Sequence, residues 1–139
     1  MYLAGTALED EKIIKFATYV MEGIAEMPID KWGLNCDHLC HGYAGVLAVM
    51  ETMYKDTKNE KYKLGIDKAV EVIVKGFDPN SLFGFYNYSV KEKAIEQEEY
   101  AYEYMDDYSF LEGSLGTILA LMASAYPEKM CWMRHLLID

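Results

Sequence analysis

Two stretches of this chain open alike. "CHGYAGVLAVM" begins at Cys40 and "LEGSLGTILALM" begins at Leu111, and each places Gly-x-x-Gly ahead of an apolar run. The leading glycines, Gly42 and Gly113, stand 71 positions apart (113 − 42). A helical pattern without such glycines precedes each stretch, so the order is helix then glycine-led helix, stated twice. That is the mark of a repeated helical hairpin, and it commits the chain to an all-α fold. Glycines at a helix start either let backbones approach closely or leave amide groups facing a ligand. The spacing alone leaves both roles open.

Four segments carry helical periodicity. Ile13, Ile14, Ala17, Val20, Met21, Ile24 and Ala25 recur at three- and four-residue spacing until Pro28 stops them. Val46, Val49, Met50 and Met53 form a stripe behind Gly42, with Leu47 and Tyr54 beside it. The third segment runs from about Lys61 to Lys75, with Thr57 and Glu60 placed as a capping box. The fourth follows Gly113, with Leu115, Ile118, Leu119, Met122 and Tyr126 expected inward and Pro127 ending it. Between the third and fourth lies a Tyr-rich, acidic stretch, residues 85–110, in which Tyr100, Tyr102 and Tyr104 alternate as on a strand or extended rim. Such a surface could grip a peptide carrying basic residues, or be a solvated loop.

The 139 residues suit a single domain, 52% hydrophobic and able to bury a core. A net charge of −10 argues against a nucleic-acid partner. No uninterrupted apolar run reaches the length of a membrane span. Three cysteines make no disulfide framework, and a reducing, cytoplasmic setting is expected.

"NCDHLCHGYAG" concentrates Cys36, His38, Cys40 and His41 just before a helix. Zinc takes thiolate and imidazole ligands, and a helix N-terminus favours a thiolate. Cys40 and His41 could share one ion, but at least one further ligand must arrive from elsewhere. Cys36 and His38 are candidates by proximity. The competing reading is a small buried cysteine and a capping histidine. Cys131 and His135, near the C-terminus, read as packing residues.

"LCHGYAG" resembles the Cys-His-Gly motif of the lanthionine synthetase C-like cyclases, and "SFLEGSLGTILALM" and "WMRHLLID" resemble their C-terminal part. The resemblance covers essentially all 139 residues and corresponds to the C-terminal portion of a family member. It implies an α/α toroid, with the helices led by Gly42 and Gly113 in the inner ring. It also implies ring closure in a dehydrated precursor peptide, where a cysteine thiol adds to dehydroalanine or dehydrobutyrine. The family's zinc is held by two cysteines and one histidine, and lowers the substrate thiol's pKa.

Carried over, Cys40 and His41 match the adjacent ligand pair, while Cys36 and His38 match no family ligand. The family's other cysteine, in a Trp-Cys-Tyr-Gly-like motif, has no counterpart ahead of Cys40, nor has its proposed proton donor. "MYLAGTAL" resembles the tail of the helix that the motif opens. The resemblance therefore implies a fragment with an incomplete zinc site, no catalytic residue of its own and no activity in isolation. Its open flanks are expected to self-associate. The alternative is a non-catalytic helical module that binds a peptide or partner.

Overall fold

The computed structural model describes residues 1–90, 102–128 and 132–133. Five α-helices and one hairpin are present among them: α1 (Tyr2–Ala7), α2 (Glu11–Glu26), α3 (Tyr43–Thr57), α4 (Glu60–Lys75), β1 (Tyr86–Val90), β2 (Tyr102–Asp106) and α5 (Ser114–Ala125). The fold is all-α with a small antiparallel ribbon, as the hairpin repeat requires. No helix among the described residues is long and apolar enough to cross a membrane. Tyr100, Cys131 and His135 lie outside the described residues.

Each helix has a local reason to begin where it does. Asp10 starts α2 by accepting from the amides of Lys12 (2.9 Å) and Ile13 (3.3 Å). At its far end, Lys68 reaches from α4 to the Ala25 and Met27 carbonyls, at 2.8 and 3.0 Å. A cation there satisfies backbone acceptors that the last helical turn leaves free. The expected capping box ahead of α4 does not form. Thr57 is still the last residue of α3 and donates to the Met53 carbonyl at 2.6 Å, so Asn59 caps α4 by accepting from Lys61.

Helix α3 is the centre of the molecule. It packs against α4 on one side and α5 on the other, while α2 packs on α4 and α1 on α2. Leu47, Met50, Met53, Tyr62, Ile66 and Ile73 form the buried interior. Burial of a large apolar side chain stabilises by about 1.5–3 kcal/mol, so this face carries the fold. Tyr62 is accommodated because its hydroxyl donates to the Thr18 carbonyl at 3.4 Å.

One expected face is reversed. On α5 the buried residues are Ser114, Gly116, Thr117, Ala120 and Ala123, whereas Leu115, Ile118, Met122 and Tyr126 are exposed. The small face lets α5 approach α3 closely, and its large apolar face is left without a covering element among the described residues. Phe16, Tyr19 and Val20 on α2 are exposed in the same way.

Strands β1 and β2 pair with Tyr86 opposite Asp106 and Val90 opposite Tyr102, so Tyr102 and Tyr104 do lie on a strand. Asp106 pins the base of the ribbon by accepting from Ser81 Oγ (2.6 Å) and the Leu82 amide (2.8 Å).

Candidate metal centre

The turn that leads into α3 is built around Gly42. The Tyr43 amide donates to the Cys36 carbonyl and the Gly42 amide to the His38 carbonyl, both at 3.0 Å. A Cβ on Gly42 would run into the backbone of Cys36 and His38, so only glycine closes this turn. Gly45 meets the Leu39 carbonyl in the same manner. Close backbone approach is thus the role of this glycine pair.

Folding the chain back brings Cys36, His38 and His41 together. One ligand atom from each lies within 4.8 Å of the other two. The His38 and His41 rings meet edge to face, with centroids 5.1 Å apart. Cys36 Sγ donates to the His41 carbonyl at 3.9 Å. Cys36 and His38 are buried, and His41 is exposed at the mouth. Cys40 is exposed and stands outside this cluster, although it lines the same groove as His41. That groove, about 540 Å³, is walled by Met21, Ile24, Leu34, Val46 and Val49.

Sulfur and imidazole nitrogen donors suit zinc, and a separation below 5 Å lets three of them reach one ion. Cys36, His38 and His41 therefore fit a metal ion on geometry. Cys40 and His41 are adjacent, exposed and line one groove. Proximity in the sequence offers Cys36 and His38 as candidates beside the second set. The tight turn that assembles the first is visible only in the folded backbone.

Burial pulls the His38 imidazole below its ordinary pKa, and neighbouring His41 adds to this, while Glu112 and Asp107 pull the other way. Asp37 is pushed up to about 6 by burial.

The second glycine-led unit braces the first. The Cys40 amide donates to the Leu111 carbonyl at 2.9 Å, and Thr117 Oγ1 donates to the Asp37 carbonyl at 2.8 Å. Glu112 sits exposed directly before Gly113, which caps α5.

An all-α hairpin repeat with sulfur and nitrogen donors gathered at one glycine-led helix start defines a class of helical protein with a group that could hold a metal ion. A sequence model of the lanthionine synthetase C-like protein family matches residues 1–137, and the chain belongs to that family. Membership supports a lanthionine synthetase-like cyclase, whose substrate is a peptide. No curated protein matches the chain.

Proposed function

We propose that this chain is the C-terminal portion of a zinc-dependent cyclase that closes thioether rings in a dehydrated precursor peptide. The observation that carries this reading is the placement of the Cys40-His41-Gly42 motif. A chain matched to the family over residues 1–137 sets that motif at the N-terminus of its central helix, facing an apolar groove.

In this reading Cys40 and His41 are two zinc ligands, and a third donor comes from outside the described residues. When bound, zinc supplies a Lewis acid that lowers the pKa of a substrate thiol, so that thiolate forms at neutral pH. Cyclisation then forms a bond from the peptide sulfur to the β-carbon of the dehydro residue. The π electrons move to the α-carbon side as an enolate, which takes up a proton there. This chain's part is to hold and orient. Gly42 fixes the turn, Cys40 and His41 present donors to the groove, and Met21, Ile24, Val46 and Val49 take up apolar peptide side chains and exclude water. A reducing, cytoplasmic compartment keeps Cys36 and Cys40 as thiols.

The isolated chain does not close rings in this reading, because its ligand pair is completed by a partner segment. The exposed apolar faces of α2 and α5 are where neighbouring hairpins of an α/α toroid pack, and in isolation they drive self-association. Light scattering should show dimers or larger species, and a monodisperse monomer would count against the toroid-arc arrangement.

Supplying the complementary N-terminal portion of a family cyclase, with zinc and a dehydrated peptide, tests the function. Ring closure removes alkylatable thiols from the peptide, and mass spectrometry counts them. Closure that needs both portions and fails with His41→Ala supports the cyclase. Peptide binding with every thiol still alkylatable would favour a second reading, a non-catalytic peptide-binding module. Exposed Tyr104 and Tyr108, on and beside the acidic ribbon, favour that second reading as its contact surface.

A further inference from the structure

The proposed ligand pair leaves Cys36 and His38 without a task, yet the turn gathers both against His41. Three observations bear on them. Their donor atoms and that of His41 lie within 4.8 Å of one another. The backbone turn that carries them is closed by the Tyr43–Cys36 and Gly42–His38 hydrogen bonds. The turn ahead of Gly113 repeats the hydrogen bond as Ser114–Asp107 and brings its glycine against the backbone of Asp107 and Ser109, with Glu112 at the position of His41, so cysteine and histidine are not needed to build it.

We infer that this chain holds a divalent transition-metal ion of the zinc class through Cys36 Sγ and the imidazoles of His38 and His41, without any donor from outside. One thiolate and two imidazoles form a mixed soft and borderline donor set, which favours zinc or cobalt(II) over magnesium or calcium. The two buried donors form the floor, and exposed His41 forms the entrance from the groove. His41 thereby belongs to two donor sets. With Cys40 and an outside donor it serves the cyclase site, on which this inference otherwise does not depend. With Cys36 and His38 it serves a site internal to the turn. The imidazole can serve one ion at a time, so the internal site is occupied when no outside donor completes the other.

Cobalt(II) titration of the purified chain under reducing conditions tests this, because a cobalt–thiolate bond gives a near-ultraviolet charge-transfer band independent of any catalytic assay. Wild type should bind one equivalent with that band. Cys36→Ser and His38→Ala should each weaken binding by more than about 100-fold, beyond the effect of losing an outer partner alone, and Cys36→Ser should abolish the band. Cys40→Ser should leave both intact. Cys36 is buried, so Cys36→Ala is measured alongside, and far-ultraviolet circular dichroism of each metal-free variant confirms that it folds. A band that survives Cys36→Ser and vanishes in Cys40→Ser overturns the inference and leaves the cyclase pair standing. Absence of any band from folded wild type also overturns it. Failure of the two-portion ring-closure assay, by contrast, removes the cyclase reading and leaves this site untouched.

Discussion

The turn entering α3 and the turn entering α5 fold the same way from different residues. Gly42 and Gly113 cap their helices at φ −123, ψ −167 and φ −113, ψ −174. In both, the amide after the glycine donates to the carbonyl seven residues back, Cys36 at 3.0 Å in one and Asp107 at 2.9 Å in the other. In both, a Cβ on the glycine would strike the backbone four and six residues back. The side chains at equivalent places then diverge: Cys36, His38 and His41 in the first turn, Asp107, Ser109 and Glu112 in the second.

In the second set Asp107 and Ser109 are structural. Asp107 accepts from the Ser109 amide (2.7 Å), which holds its carboxyl below the usual range, and Asn87 donates to it at 2.9 Å, tying the turn to the ribbon. The comparison separates scaffold from chemistry. Glycines and carbonyls make the turn, and whatever is placed at its three corners is free to do something else.

The largest effect should come from the shared element. Gly42→Ala and Gly113→Ala force a Cβ onto backbone, and overpacking of this kind costs about 3 kcal/mol. Calorimetry should show each lowering Tm by roughly 10 °C or lost expression. A drop confined to one of them would break the equivalence of the turns.

Thr117→Val comes next, because it removes the hydrogen bond by which the second unit braces Asp37. Chemical denaturation should show a loss of about 1 kcal/mol. No change would mean that this hydrogen bond adds nothing to the bracing supplied by the Cys40–Leu111 contact and the packing of α3 on α5.

Glu51→Gln should have the smallest effect, and of opposite sign. Glu51 is a buried residue of α3, and burial raises its carboxyl pKa above 4.5 despite a hydrogen bond from Ser124. A raised acid binds its proton more tightly in the folded state, so stability falls as pH rises from the unfolded value through the folded one. The amide removes that loss. Thermal melts should show Glu51→Gln above wild type at pH 8 and level with it at pH 4, and a gain at pH 4 instead would refute the assigned cause.

Much of this was legible in the residues. The spacing of Ile13 to Ala25 and of Tyr62 to Val74 marked α2 and α4, and the glycine pairs marked the starts of α3 and α5. The inward face of α5 was not legible, because "LGTILALMASA" is apolar all round. Periodicity cannot choose a face there, and close approach by Gly116, Ala120 and Ala123 decides it. The cap at Asn59 was obscured by α3 running through Thr57. The gathering of Cys36 and His38 with His41 was hidden for a different reason. It depends on a backbone turn closed by Gly42, and linear spacing carries no sign of that closure. The 71-residue equivalence held a usable clue, since Asp107 and Ser109 occupy the same corners.

His41 and Glu112 occupy the same position in the two turns, and His41 belongs to both proposed donor sets. Elemental analysis of the purified chain after equilibration with zinc therefore tests the central claim most directly. One equivalent of zinc on wild type and on Glu112→Ala, with none on a folded His41→Ala, is the predicted result. Equal zinc on all three proteins would contradict it.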